Sequence, residues 1–565
     1  MYYLTASFSV VSHTIMGPDL YSVLLTVHSS LARSTVLIGA ASVIATIWAL
    51  RGALRVARRT FRTTRLRGPP RTDLVFGVSK QIIESTDTAA LYEAWAGKYG
   101  AVYEVPTTLG GRKIMISDTR ALTHYFSKET WSYVLTSETR LIIRRTLGPG
   151  ILWAQGEDYK RQRKSLTPAF SQAAIRKFTP IFYNSTHKAK VAWDAMIDAS
   201  GSDSIVIKVQ SWINHISLDS IGLACFSHDF GSLDGKPASV TAVLDMIASS
   251  PKPSAVDIGF FLLSEVFSFF TYLPATRTKL FHELQQTMED ISKELLARIK
   301  KEKEEGVLDE NEERSIIGML MKANGSNSDL QSSPEEVLAQ MKILLAAGYE
   351  TTAIAITWAL LELARNPDIQ HKLRQELLAF GEEPTYNQLQ SSLPYLDAVV
   401  HEALRLHPPV ADFIRVAVEN DIIPVSESVI TKSGEAVNSI SVARGTLVGI
   451  PISSINTSVS IWGSDAKVFR PERWLTEDGI PKKAQDIQAY RHLLTFSDGP
   501  RTCIGKGFAL TEFKVVISVL VRSFVFELRD GPDTRVELVI GMLPRPRIVG
   551  EQGVDVPLRV RRYEG

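Results

Sequence analysis

One of the two cysteines in this 565-residue chain stands in a setting suited to metal chemistry. The segment FSDGPRTCIGKGFAL, residues 496–510, reads as a Gly-Pro turn that delivers Cys503 to the start of a helix. A helix N-terminus favours negative charge, so a thiol placed there is more readily the thiolate that binds metal. Gly499 and Gly505 leave room for close approach by backbone or cofactor. Arg501 offers a forked donor for a carboxylate, and Phe496 shields one side of the sulfur from water. Cys225, inside IGLACFSHDF, lacks such surroundings and reads as a small core residue. With only two cysteines, a disulfide-stapled secreted scaffold is excluded.

Other polar residues interrupt apolar stretches in ways that suit chemistry or buried pairing. In LLAAGYETTAIAITWAL the small residues Ala346, Ala347 and Gly348 let a flat macrocycle and a small ligand lie against a helix. Glu350 and Thr351 then break its apolar face; the plain alternative is two polar residues turned to solvent. Glu402 and Arg405, spaced i,i+3, are neighbours on one helix face, and FRPERW supplies Arg473 further on. GEDYKRQRKSLTPAF carries Tyr159 and Arg163, and PPVADFIRVAV carries Arg415. Lys160, Arg161, Lys164 and Lys506 are most simply a solvated basic face.

The loop matches the haem-binding pattern Phe-x-x-Gly-x-Arg-x-Cys-x-Gly at Phe496, Gly499, Arg501, Cys503 and Gly505, and the chain resembles the cytochrome P-450 family. Ala347, Gly348, Glu350 and Thr351 resemble the family's Ala/Gly-Gly-x-Asp/Glu-Thr; Glu402, Arg405 and Arg473 resemble its Glu-x-x-Arg and PERW elements. All appear in family order from about residue 68 onward. The resemblance implies haem b (iron protoporphyrin IX) with Cys503 as axial ligand. It implies Arg501, Arg163, Arg415 and Tyr159 at the propionates, with Tyr159 where the family has Trp, and Phe496 and Gly348 beside the cofactor. Thr351 would hydrogen-bond the oxygen at iron while Glu350 relays protons to it. Glu402, Arg405 and Arg473 take a structural role behind the haem.

The implied reaction is monooxygenation: one atom of O2 enters a C–H bond or alkene and the other leaves as water. A thiolate ligand favours O–O cleavage. The chain has no evident nucleotide- or flavin-binding segment. Electrons therefore come from NADPH through a partner, NADPH–cytochrome P-450 reductase, with cytochrome b5 a further candidate. Lys160, Arg161, Lys164 and Lys506 are candidates for its docking face. By family likeness Val410, Phe413, Met542 and Leu543, with the stretch Phe260–Phe270, line a pocket for a small lipophilic substrate. Asp412 is the unusual acid among them. The motifs are similar in style to fungal enzymes of terpenoid and other secondary-metabolite pathways. Two other readings use the same thiolate: a haem-thiolate isomerase or peroxygenase needing no reductase, and a non-catalytic haem-binding sensor. Neither needs the Glu350/Thr351 pair.

These residues need a large, mainly helical body with a small β-sheet region. Lys279 to Glu305 shows apolar residues at helical spacing with a charged reverse face. Ser333 as N-cap, Pro334 at the first position and Glu336 three residues after the cap predict a helix running to Asn366-Pro367. AVYEV, KIMIS, FVFEL and VELVI predict strands near the start and the end. Before this body, the uncharged run from Ser34 to Leu50, about seventeen residues, is at the low edge of what spans a bilayer. Seven arginines lie between Arg51 and Arg67, which puts the rest of the chain in the cytosol. The expected organisation is an N-terminal segment 1–33, lumenal or membrane-associated, a transmembrane helix 34–50, a basic and Pro-rich hinge 51–70 and a catalytic domain 71–565. The expected location is the endoplasmic reticulum membrane, single-pass and in contact with lipid. Net charge of +2 gives no push toward nucleic acid. Asn-X-Ser/Thr sequons begin at Asn184, Asn324 and Asn456.

Overall fold

The computed structural model describes residues 61–236, 255–264, 276–304, 315–320, 331–540, 543–551, 553 and 555–564, with Thr46 and Arg59. The expected membrane helix 34–50 apart from Thr46, the segment before it and hinge residues 51–58 and 60 lie outside these residues, as do Met542, Asn324 and the second half of Phe260–Phe270. Arg65–Gly565 form one compact unit. Within it the end of the expected hinge is already tied down. Leu66 bridges Thr431, and the Lys432 N–H donates to the Arg65 carbonyl at 2.8 Å.

The helices that position the site are α1 (Thr119–Lys128), α2 (Gly156–Leu166), α3 (Gln172–Ser200), α4 (Val209–Phe226), α5 (Thr276–Glu304), α6 (Pro334–Arg365), α7 (Pro394–Leu406) and α8 (Lys506–Ser523). Helix α6 starts where the sequence predicts. The Ser333 hydroxyl accepts from the Glu336 N–H at 3.1 Å and the Glu336 carboxylate accepts from the Ser333 N–H at 2.8 Å. It ends at Arg365, with Asn366 as C-cap before Pro367. Its 32 residues span roughly 48 Å at 1.5 Å per residue. Among the described residues it is the one helix apolar and long enough to cross a membrane, but 83% of that window is buried inside the protein. A helix apolar on nearly every face is stable in water only as the centre of a core. Helices α4, α5 and α8 pack against it.

The strands are β1 (Val102–Pro106), β2 (Arg112–Ile116), β3 (Tyr133–Val134), β4 (Ser204–Lys208), β5 (Phe413–Ala417), β6 (Asp421–Ile430), β7 (Ala436–Val442), β8 (Leu447–Ile450), β9 (Phe524–Leu528), β10 (Val536–Ile540), β11 (Pro544–Ile548) and β12 (Pro557–Arg562). The four segments read as strands form β1, β2, β9 and β10. The main sheet runs β1-β2-β8-β5-β3, with β2 and β8 parallel and its other neighbours antiparallel. Strands β6 and β7 form a separate hairpin whose register shifts between Pro424 and Val429. Proline donates no ladder hydrogen bond, so a slip there is expected. The sequon at Asn456 is internal: its side-chain amide donates to the Thr495 hydroxyl at 2.9 Å and the residue is fully buried.

Candidate active site

Residues 499–501 form a single 3-10 turn before Cys503. Gly499 has φ +62, and a Cβ there would lie 2.4 Å from the Phe126 carbonyl oxygen on α1, so only glycine fits. The Cys503 N–H donates to the Phe496 carbonyl at 2.8 Å, closing the loop, and α8 begins three residues later at Lys506. Cys503 is accessible, more so than the residues on either side of it. Burial pushes the thiol up; the Gly505 N–H, Arg163 and Lys506 pull it down without prevailing. The helix terminus acts on this thiol against the effect of burial, and something more would favour the thiolate. A bound cation would, because a coordinating thiol is deprotonated outright. Cys225, by contrast, is wholly buried, and burial holds its thiol well up.

Helix α2 is stapled to this loop by Tyr159 and Arg163. The Tyr159 hydroxyl donates to the Pro500 carbonyl at 2.8 Å, and Arg163 donates to the Thr502 carbonyl and to the Tyr159 oxygen at 3.2 Å. A phenol has one proton to donate. Tyr159 therefore positions the loop and presents its ring to Arg501, whose guanidinium carbon lies 4.1 Å from the centroid. In this structure the one Tyr159 hydroxyl proton is engaged at the Pro500 carbonyl. Arg501 also donates to the Ala154 carbonyl at 2.7 Å, while its Nε is buried without a hydrogen-bond partner. Arg415, on β5, lies 3.1 Å from Glu129, the C-cap residue of α1.

On α6, Ala347 is accessible and Gly348 and Thr351 half-accessible on a helix otherwise almost wholly buried. The Thr351 hydroxyl donates to the Ala347 carbonyl at 2.8 Å. Gly348 has a packing reason to be small. A Cβ there would lie 2.6 Å from Ile221 Cδ1 on α4, so the glycine permits close helix–helix approach. Ala346 is likewise buried, which leaves Ala347 and Thr351, one turn apart, as the open stripe. Glu350 does not turn to solvent. It is fully buried, with Oε1 3.1 Å from Nε of Arg545 on β11. Sequence reasoning missed Arg545, which no motif marks.

Glu402, Arg405 and Arg473 form a buried cluster. Arg405 grips the Glu402 carboxylate twice, at 2.9 and 2.8 Å, and Arg473 Nε lies 3.5 Å from it. The Trp474 indole N–H and the Arg470 backbone N–H also donate to it, at 2.9 and 3.0 Å. Arg405 spends its remaining donors on the carbonyls of Asn456, Ala466 and Val468, fixing the chain that leads to the cysteine loop.

Among the described residues no group of three or more His, Cys, Asp and Glu could hold a metal ion. The resemblance implies at Cys503 a metal held largely by an organic macrocycle. The arginines grouped around Tyr159 and the orphaned Arg501 Nε fit such a macrocycle bearing carboxylates. The comparisons agree. The sequence model of the family Cytochrome P450 matches residues 67–549. Cytochrome P450 monooxygenase claQ of Ampulloclitocybe clavipes is 51% identical over 92% of this chain and 97% of its own length. Cytochrome P450 monooxygenase claW of the same fungus is 48% identical over 94% and 99%. Cytochrome P450 monooxygenase 205 of Postia placenta is 34% identical over 93% and 97%.

The chain belongs to the cytochrome P450 family. It is an oxidoreductase of the monooxygenase type, and the family uses a haem held by a cysteine thiolate. The other expected site residues of this cytochrome P450 have the following surroundings. Phe496 is half-buried, its ring edge-on to Tyr490 at 6.4 Å. Phe413 packs edge-on to Phe126 at 6.1 Å, Leu543 is half-buried against the main core, and Val410 is 36% exposed. Asp412 accepts from the Tyr92 hydroxyl at 3.1 Å, which ties it to the helix Thr88–Tyr99. Of the basic candidates for docking, Arg161 is already committed to Glu336 and to the Gln331 carbonyl at the start of α6. Lys160 lies over the Trp131 ring, Lys506 over the Tyr490 ring, and Lys164 is exposed.

Proposed function

We propose that this monooxygenase inserts one oxygen atom from O2 into a C–H bond or alkene of a small lipophilic substrate, with electrons from NADPH through a membrane-bound reductase. The overall balance is substrate, O2, NADPH and a proton giving oxygenated product, water and NADP+. Haem ligated by Cys503 supplies the oxygen activation. The observation that carries the reading is the accessible Cys503 in a loop closed by its own hydrogen bonds, together with the accessible Ala347 and half-accessible Thr351 on the otherwise buried α6.

The chain's own residues then have separable tasks. Arg163, Arg415 and Arg501 bind the propionates of the cofactor, as forked donors suited to carboxylates. Thr351 carries a hydroxyl that can pass on its proton and accept another, provided it rotates away from the Ala347 carbonyl. Glu350, one residue before it, is the nearest carboxyl on the same helix and receives protons from the side of β11. Glu402, Arg405 and Arg473 hold the chain behind the cysteine loop. Apolar Val410, Phe413 and Leu543 favour a lipophilic substrate, and a terpenoid or related secondary metabolite fits that lining. The apolar run 34–50 and its arginine flank support anchoring at the endoplasmic reticulum with the catalytic unit cytosolic. Lys160, Lys164 and Lys506 remain the candidate docking charges for the reductase.

The test is turnover in microsomes holding the protein and reductase, with NADPH, a panel of terpene and aromatic precursors, and isotopically heavy O2. The expected product is one oxygen heavier and carries the label. A product labelled from water instead would overturn monooxygenation. The Cys503→Ser protein should lose the ferrous–CO spectrum of thiolate ligation.

A further inference from the structure

We propose that Glu129 is a positioning residue for the cofactor: a buried counter-carboxylate that aims Arg415 and limits the positive charge facing the haem propionates, and so helps to set the haem potential. The inference rests on the reading of Arg163, Arg415 and Arg501 as propionate partners.

Glu129 caps the C-terminal end of α1 and is 1% exposed, an unusual state for a carboxylate. Its Oε1 lies 3.1 Å from Arg415 Nη2, yet neither carboxylate oxygen receives an aligned hydrogen bond. Burial holds the carboxyl above its ordinary value, and Arg415 and Arg501 offset only part of that rise. Tyr125, one helical turn earlier, is fully buried beside the same three groups. Asp498, half-buried in the cysteine loop, is the other acid that Glu129 senses. A carboxylate is expensive to bury, and two nearby guanidinium groups, in excess of it in charge, offset that cost.

That excess is real. Arg163, Arg415 and Arg501 carry three positive charges, and among the described residues only Arg415 makes a direct ion pair with an acid, Glu129. Arg163 and Arg501 spend their donors on carbonyl groups and Tyr159, leaving positive charge for incoming carboxylates. Glu129 therefore subtracts one charge from the cradle while pinning the arginine of β5. Such a fixed charge in a low-dielectric interior bears on a nearby iron, because net charge and burial set reduction potentials. Removing the negative charge favours the ferrous form.

The experiment is spectroelectrochemical titration of the full-length holoenzyme. Glu129→Gln should keep its haem and thiolate–CO spectrum while its midpoint potential moves positive. Arg415→Gln should move it negative, and the Glu129→Gln/Arg415→Gln pair should return close to the wild-type value. An unchanged potential in Glu129→Gln overturns the proposal. If Glu129→Gln alone fails to hold haem, recovery of haem in the double variant supports it and continued loss overturns it. Wild-type protein without haem would instead sink the propionate reading itself.

Discussion

Arg545 on β11 places its Nε 3.1 Å from Oε1 of Glu350 on α6, and both side chains are shut off from solvent. The pair joins the C-terminal hairpin of β10 and β11 to the helix that carries Thr351. It makes the acid at this position a fixed charge partner and not a surface group. Removing only one member of a buried pair strands the other, typically at about 3–5 kcal/mol. Arg545→Met should therefore lower thermal stability strongly, and Glu350→Gln/Arg545→Met should recover part of the loss. Glu350→Gln alone should slow product formation by roughly 10²-fold, the usual worth of a placed proton donor. O2 that takes up two electrons without further cleavage leaves as hydrogen peroxide, so peroxide per NADPH should rise. Equal peroxide yields in wild type and Glu350→Gln would remove Glu350 from proton delivery.

Glu402 stands at the centre of a second buried cluster, with two guanidinium groups, an indole N–H and a backbone N–H around one carboxylate. Glu402→Ala should destabilise the protein by about 3–5 kcal/mol, because Arg405 and Arg473 lose their shared counter-charge in a closed interior. Since Arg405 also holds three carbonyls on the path to the cysteine loop, haem content should fall with stability. Denaturant unfolding monitored together with haem absorbance checks both; normal haem content in an unstable variant would detach this cluster from the loop.

Gly348 offers a test that separates packing from cofactor contact. A side chain at this position meets Ile221 Cδ1 at 2.6 Å, a branched residue in a packed interface. Overpacking of this kind typically costs about 1–3 kcal/mol. Gly348→Ala should lower the melting temperature, and Ile221→Ala on the facing helix should restore much of it in the double variant. No rescue by Ile221→Ala would return Gly348 to the cofactor side.

Legibility in the sequence depended on the kind of signal involved. Local signals survived intact: the capping box at Ser333 and Glu336, the stop at Asn366-Pro367, and the Gly-Pro turn before Cys503 all stand where their chemistry puts them. The four strands with β-branched or aromatic runs formed, but sequence reasoning missed β3 to β8, β11 and β12. Strand β6 contains Pro424 and Ser426, and its ladder slips there, so the segment carries no clean alternation. Long-range partners left no trace in the sequence. Glu129 and Arg415 are far apart in the chain, as are Glu350 and Arg545, and only the fold brings each acid to its arginine. The same limit explains Gly348 and Tyr159. Their residue types are legible as small and as donor, but the neighbour that uses each property is not.

Glu512 on α8 gives the clearest dependence on pH. Its side chain is wholly buried, and burial pushes its carboxyl up to about 8, with the Ser217 hydroxyl on α4 the neighbour that opposes the shift. In the unfolded chain the same group titrates near ~4.3. Between these values the folded protein binds the proton more than the unfolded chain does, so stability must fall as pH rises. The penalty begins near pH 4–5, grows toward pH 8 and is constant above it. Glu512→Gln removes this slope while keeping shape and one hydrogen-bonding oxygen. The variant should gain little at pH 5 and a few kcal/mol near pH 8, seen as a difference in melting temperature that widens with pH. A difference independent of pH between 5 and 8 would mean that the carboxyl is already ionised in the folded protein. In that case Glu512 must be compensated by a partner other than Ser217.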